Sequence, residues 1–258
     1  MPDRTLILDF DGVIADTMDE DMLCVYSILR ETPYLEDMGE VRPRDFRDSE
    51  AASQERLRML WKVRPDIRLV EDYLAYLRAW HQGLEVDRVR PSKILSRDDI
   101  QWFRQEFYRV RQGFKEIDYP SWMGLHRIYD GIVGVVDRAG AEGIPFTIAT
   151  ARGRESTVEI LRHAGLLSRV AAMRTREDAG DKGAMVSSIL DEIGVSSGVF
   201  VDDSLKNLLD VGPGAGILMS GWGYVSDHER AAALDSGIPV ISHPVEILGH
   251  LGIRDGRS

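Results

Sequence analysis

Two aspartates near the start of the chain are the first residues whose type and spacing could do chemistry. Asp9 and Asp11 flank Phe10, directly after a short apolar and β-branched run from Thr5 to Leu8 that is typical of a buried strand. Alternate residues of a strand project to the same side, so the two carboxylates can share one site, and Gly12 lets the backbone turn there. Such a pair can hold a divalent cation or divide the work of nucleophile and proton donor.

This segment resembles the first motif of the haloacid dehalogenase superfamily. Phosphatases of that superfamily carry DxDG, then an apolar pair, and often Asp-Thr or Asp-Ser. The matching residues here are Asp9, Asp11, Gly12, Val13, Ile14, Asp16 and Thr17. Acidic residues are also common where a strand turns into a loop, so the motif gains meaning only from partners elsewhere in the chain.

Candidate partners follow two other strand-like runs. Thr150 comes directly after the run from Ile144 to Ala149, and Asp202 and Asp203 come after the run from Gly198 to Val201. In an open α/β sheet, ligands bind beyond the carboxyl ends of the strands. We therefore expect these side chains to meet Asp9 and Asp11 at one edge of a sheet.

Thr150 begins the stretch TARGRES, in which a strand gives way to a helix. A hydroxyl and backbone N–H groups before a helix form an anion site that suits phosphate. In the resembled family this is the second motif, which implies a phosphate-binding role for Thr150 and for the N–H of Ala151. Arg152 and Arg154 could add a contact, although a surface role is the favoured interpretation for both.

The third and fourth family motifs are a lysine at the start of a helix and an acidic pair. Lys182 fits the third motif, with Lys115 and Lys206 as alternatives, and its ammonium would neutralise a phosphoryl group. The pair in VFVDDS fits the fourth. The resemblance implies Mg²⁺ bound by the Asp9 side chain, the Asp11 carbonyl, Asp203, and Asp202 directly or through water, with Asn207 as a weaker supporting candidate.

The pattern around these motifs predicts an α/β fold. After Pro120, helical segments alternate with short apolar runs, which is typical of a doubly wound, mostly parallel, Rossmann-like sheet that also takes in the first strand. One of the predicted helices runs from Trp122 to Gly143. Residues 17–120 instead have helical periodicity, with about four helices and buried aromatic side chains. We expect a catalytic core, residues 1–16 and 121–258, with an inserted all-helical cap domain, residues 17–120.

Composition narrows the class of protein. The chain of 258 residues has 43 acidic and 32 basic residues and a formal net charge of -11, which disfavours nucleic acid or an anionic membrane surface as a partner. Cys24 is the only cysteine, so an intrachain disulfide or a thiolate zinc site is excluded. No signal sequence or membrane-spanning run is evident, so we expect a cytoplasmic protein.

Together the motifs predict a Mg²⁺-dependent phosphatase that acts on a small phosphorylated metabolite. Asp9 would form an aspartyl-phosphate, and Asp11 would serve as general acid and base. A β-phosphoglucomutase-like phosphoryl transfer uses the same motifs and remains the main alternative. A dehalogenase is disfavoured because it needs no phosphate site, and a non-catalytic binding protein is disfavoured because no acidic residue of the motifs is missing.

Overall fold

A computed structural model describes residues 3–85, 89–178 and 180–253 of the chain. The chain forms two compact units. The first unit consists of Met1–Asp16 and Ile128–Ser258, and the second of Thr17–Arg127. The second unit is therefore one continuous insertion into the sequence of the first.

The strands and helices alternate along most of the first unit. The strands, in chain order, are β1 (Arg4–Leu8), β2 (Ala15–Asp16), β3 (Arg127–Ile128), β4 (Phe146–Ala149), β5 (Val170–Arg174), β6 (Ser197–Asp202), β7 (Ala215–Ser220) and β8 (Val240–Ile241). The helices are α1 (Met18–Leu29), α2 (Glu50–Ser53), α3 (Glu55–Lys62), α4 (Asp72–His81), α5 (Pro91–Ile94), α6 (Arg97–Ile117), α7 (Tyr119–Met123), α8 (Ile132–Ala141), α9 (Arg154–His163), α10 (Lys182–Ile193), α11 (Leu205–Leu209), α12 (Asp227–Asp235) and α13 (Glu246–His250).

Six of the strands form one parallel sheet in the order β5-β4-β1-β6-β7-β8. β1 lies at its centre and pairs with β4 on one side and β6 on the other. A parallel sheet is covered on both faces, which explains why the strands read as continuous apolar runs instead of alternating ones. Ile7, Phe200 and Met219 are buried against Met185 and Ile189 of α10. The predicted α/β fold is confirmed.

The second unit is helical. Four of the helices described in it have eight or more residues, namely α1, α3, α4 and α6. Tyr26, Tyr73, Phe103 and Phe107 are fully buried, as their helical spacing predicts, whereas Trp80 is only partly buried. The apolar stripes of this unit therefore form its own core.

The prediction of a single helix from Trp122 to Gly143 was wrong. Helix α7 ends at Met123, the short strand β3 follows, and α8 begins only at Ile132. Gly131 stands before α8 with φ 91°, a left-handed conformation that interrupts a helix and that glycine adopts without strain. The apolar residues of two short helices share a helical period, so the period alone did not reveal the break.

No helix in the described parts of the chain combines the length and apolarity that a membrane crossing requires.

Candidate active site

The centre of the site is the carboxyl end of β1. In the sheet, Leu8 pairs with Ile148 of β4 and with Val201 of β6, and the backbone N–H of Asp9 donates to the Val201 carbonyl at 3.0 Å. Asp9 therefore leaves the sheet beside the ends of both neighbouring strands. This is the point of the strand order at which α/β sheets bind ligands.

Three carboxylates converge there. Asp9, Asp202 and Asp203 each offer an oxygen, and these oxygens lie within 4.8 Å of one another. All three residues are buried, with exposed fractions of 8%, 0% and 8%. Like charges so close together in a buried site repel one another, so the cluster needs cations to remain ionised.

Lys182 supplies one positive charge. It is the first residue of α10, which Asp181 caps by accepting from the N–H of Ala184. Its buried ammonium lies 2.6 Å from Asp9 Oδ1 and 3.1 Å from Asp202 Oδ2, and it donates to the Ala149 carbonyl at 2.7 Å. One side chain thus links the ends of β1, β4 and β6.

The other two candidate lysines lie elsewhere. Lys206 is exposed and pairs with Asp210 at 2.7 Å. Lys115 belongs to the second unit, where its ammonium lies 5.2 Å from the centre of the Trp122 ring. Of the three candidates, the structure brings Lys182 to Asp9.

Burial has opposite effects on Asp9 and Lys182. Burial is the largest influence on Asp9 and raises its pKa to about 7; the charge of Lys182 opposes this rise, while Asp202 and Asp11 add to it. For Lys182, burial alone would lower the pKa, but the combined attraction of Asp202 and Asp9 outweighs it and raises the pKa. The lysine therefore stays charged, and Asp9 requires additional positive charge to be fully ionised at neutral pH.

Thr150 and Ala151 lie where β4 ends. The Thr150 hydroxyl is buried and accepts from the backbone N–H of Arg152 at 3.1 Å, while Ala151 is exposed. Helix α9 begins at Arg154, with Gly153 as its N-cap. The intervening loop leads from the sheet edge to the helix.

Arg152 is buried beside Asp11. Its guanidinium lies 2.9 Å from Asp11 Oδ1, and its Nε donates to the Ser156 hydroxyl at 3.2 Å. The predicted surface role of Arg152 is therefore wrong. Arg154 does lie at the surface, with 48% of its side chain exposed, and pairs with Asp178.

The acidic pair at the end of β6 is held from two directions. Asp202 accepts from the Ser204 N–H at 2.8 Å and from the Asn207 amide at 3.1 Å. Asp203 accepts from the backbone N–H of Tyr224 at 2.8 Å. These contacts fix the orientation of both carboxylates without providing a further positive charge.

Tyr224 belongs to the loop 221–224, which follows β7 and also contacts the segment after Asp11. The Tyr224 hydroxyl donates to Asp16 at 2.8 Å, and the Trp222 indole donates to the Val13 carbonyl at 3.1 Å. The backbones approach so closely that a Cβ on Gly223 would lie 2.1 Å from the Gly12 carbonyl oxygen. Gly12 itself has φ 79°, a conformation that favours glycine.

Comparisons with known proteins found similarity at the level of structure. No family model matches the sequence, and no curated relative matches it. A solved structure described as a "predicted phosphoglycolate phosphatase" from Haemophilus somnus superposes with a TM-score of 0.68 and 14% identity, covering 97% of this chain and 99% of that one.

Two further solved structures carry the family name. A haloacid dehalogenase-like family hydrolase from Streptococcus pneumoniae gives a TM-score of 0.63 at 13% identity, over 97% of this chain and 100% of that one. A HAD-superfamily hydrolase of subfamily IA from Geobacter sulfurreducens gives 0.58 at 18% identity, over 96% of each chain. This chain has the haloacid dehalogenase fold.

The residues at the centre of this haloacid dehalogenase fold suit a divalent cation. When ionised, the carboxylates of Asp9, Asp11, Asp202 and Asp203 carry two more negative charges than Lys182 and Arg152, the two cations paired with them, can neutralise. Oxygen ligands about 2.1 Å from Mg²⁺ lie at most about 4.2 Å apart, so oxygens within 4.8 Å need only a small movement to share one ion. The chemistry of the donor set fits Mg²⁺.

Sequence reasoning missed two contacts of this fold. The ion pair of Arg152 with Asp11 escaped notice because most arginines are solvated and no pattern in TARGRES distinguishes a buried one. The contact of Tyr224 with Asp203 involves the stretch GWGYVS, whose glycines permit a close backbone approach but fit a plain surface loop equally well. The first contact joins residues 141 positions apart, and the second joins residues 21 positions apart.

Proposed function

We propose that the protein is a phosphatase that hydrolyses a small phosphate monoester with the help of Mg²⁺. The observation that carries this proposal is the buried set of Asp9, Asp202 and Asp203 with Lys182 at the carboxyl end of the central strand. The descriptions of structural neighbours as phosphatases and hydrolases support it. The second unit is proposed to be the cap that selects the ester.

In the first step, an oxygen of Asp9 attacks phosphorus opposite the ester oxygen. A bond forms between that oxygen and phosphorus, the bond from phosphorus to the ester oxygen breaks, and Asp11 gives its proton to the departing oxygen. The products are the free alcohol and an aspartyl-phosphate on Asp9. Burial of Asp9 favours this step because a poorly solvated carboxylate is a stronger nucleophile.

In the second step, water attacks the same phosphorus. Asp11 takes a proton from that water, the bond between Asp9 and phosphorus breaks, and inorganic phosphate leaves with Asp9 restored as a carboxylate. Dividing one difficult displacement into two easier ones is the advantage of a covalent intermediate.

The remaining residues hold the phosphoryl group. Thr150, the N–H of Ala151 and the Lys182 ammonium would donate hydrogen bonds to its oxygens, where negative charge must be stabilised in both steps. Asp9, Asp202, Asp203 and the Asp11 carbonyl would hold the Mg²⁺. When bound, the ion would supply positive charge to the phosphoryl oxygens and would keep Asp9 ionised.

The test is phosphate release from a panel of small phosphate esters, with and without Mg²⁺, for the wild type and for Asp9→Asn. We expect release that requires Mg²⁺ and falls at least about 10³-fold in the variant, because the amide cannot form the acyl phosphate. The matched control is Asp210→Asn, which removes a carboxylate of the same unit that pairs with the exposed Lys206. Equal release by wild type and Asp9→Asn would refute the proposal.

A further inference from the structure

The guanidinium of Arg152 is held on several sides. It lies 2.9 Å from Asp11 Oδ1 and donates to the Ser156 hydroxyl at 3.2 Å. It also lies over the Phe10 ring, 5.7 Å from the ring centre, and only 4% of the side chain is exposed. An arginine fixed in this way has a single conformation, so any group that it binds is fixed as well.

Burying an arginine side chain is unfavourable in free energy unless its contacts compensate. Ordering a free arginine side chain costs rotamer entropy, and removing its charge from water costs more. Arg154, two residues away, avoids both costs by remaining at the surface. The difference between these two arginines singles out the contact of Arg152 with Asp11.

The partner also needs to be held. Asp11 follows the last residues of β1 and has 24% of its side chain exposed, whereas the oxygens of Asp9, Asp202 and Asp203 are gathered in the buried cluster. A short carboxylate beside such a cluster could rotate toward it. The pairing with Arg152 keeps one Asp11 oxygen on a different partner.

We propose that Arg152 is a positioning residue: by binding one oxygen of the Asp11 carboxyl group, it holds the other oxygen, which carries the proton, toward the departing oxygen of the ester and away from the buried acidic cluster. The inference rests on the proposed function, because it concerns the reaction of the same site. Arg152 acts through Asp11 and does not itself contact the phosphoryl group. Its removal therefore impairs proton transfer to the leaving group more than binding of phosphate.

The experiment compares two esters that differ in how much they need a proton. The leaving group of phenyl phosphate is phenol, whose pKa is close to that of tyrosine, about 10. The ester 4-nitrophenyl phosphate has a similar shape, but its leaving group is much more acidic. Values of kcat/KM are measured with Mg²⁺ for the wild type, Asp11→Asn, Arg152→Ala, Arg152→Lys and the double variant Asp11→Asn with Arg152→Ala. Arg154→Ala, at the first residue of α9, is the matched control.

We expect Arg152→Ala to lose about 10- to 100-fold in kcat/KM on phenyl phosphate and less than about threefold on 4-nitrophenyl phosphate, since a general acid contributes 10²–10⁴-fold where it is needed. Arg152→Lys, which keeps the charge and protects the fold, should show the same preference with a smaller loss. The double variant should be no worse than Asp11→Asn, because two residues that act as a unit are not additive. Arg154→Ala should match the wild type.

Other outcomes overturn the inference. Equal losses on both esters would mean that Arg152 binds the phosphoryl group or only supports the fold, and unchanged values would mean that it does nothing to Asp11. Additive losses in the double variant would show that the two residues act independently. A wild type that hydrolyses neither ester would instead refute the proposed function, and this inference with it.

Discussion

Replacing Gly223 by alanine should damage the site although the variant keeps every side chain that is proposed to do chemistry or to hold the Mg²⁺. The new Cβ would lie 2.1 Å from the Gly12 carbonyl oxygen and 2.8 Å from Asp203 Cβ. Ordinary contacts of a Cβ atom are at least 3.0 Å, so the two backbones must separate by about 1 Å. Neither neighbour is the flexible end of a side chain, which leaves no easy way to absorb the clash.

The displaced segments are the ones that position the site. Gly12 directly follows Asp11, and Asp203 accepts its hydrogen bond from the residue after Gly223. A displacement of about 1 Å in a catalytic arrangement costs on the order of 10²-fold in rate, or about 2.7 kcal/mol in the activation free energy. We expect kcat/KM to fall by about that factor and Mg²⁺ to bind more weakly.

The assay is hydrolysis of 4-nitrophenyl phosphate over a range of Mg²⁺ concentrations, together with thermal unfolding of each variant. Gly212→Ala is the matched control, since a Cβ there would meet no atom within 4 Å. Its kcat/KM should stay within about twofold of the wild type. If Gly223→Ala retained wild-type activity and Mg²⁺ affinity, the close approach of the two loops would have no role in positioning the site.

Two further predictions concern pH and stability. The pKa of Asp9 in the metal-free protein is raised to about 7, so Mg²⁺ must displace a proton at lower pH. The affinity for Mg²⁺ should therefore fall by up to about tenfold per pH unit below 7 and level off above about 8. Calorimetry at several pH values checks this. In the second unit, Asp99 pairs with Arg78 at 2.8 Å, and its side chain accepts from the backbone N–H of Ser96, the N-cap of α6. Asp99→Ala should lower the free energy of unfolding by about 2 kcal/mol at pH 7. Since these contacts depress the pKa of Asp99, that difference should persist above about pH 4 and shrink as the pH falls further. The control is Glu106→Ala, which removes a pairing with the exposed Arg109 of the same helix and should cost under about 0.5 kcal/mol at any pH in urea titrations.

The sheet and its acidic edge could be predicted from the sequence because their signals are local. Each strand is a short apolar run bounded by turn residues, and the residue after the run, such as Asp9 or Thr150, lies at the carboxyl edge by the rule for parallel strands. The choice of Lys182 over Lys206 required the structure, because both stand at or near the start of a helix and only the fold decides which one meets Asp9.

The remaining contacts join residues that are far apart in sequence, and no helical or strand periodicity predicts such pairings. Arg152 reaches a carboxylate 141 positions earlier, and Tyr224 a carboxylate 208 positions earlier. The break in the predicted helix from Trp122 to Gly143 depended on a backbone conformation at Gly131 that an apolar pattern does not report. In each case tertiary packing decided between local alternatives of similar energy.

The central place of β1 also sets an order in which the molecule can form during synthesis. β1 is made first, yet both strands that flank it, β4 and β6, are made only after the whole second unit, Thr17–Arg127, has been translated. The contacts within the second unit are contiguous in sequence, so their loop-closure entropy is smaller than that of pairing Leu8 with Val201. At the ribosome, the inserted unit can therefore begin to fold while β1 still lacks both neighbours, and the acidic edge cannot be assembled before β6 emerges.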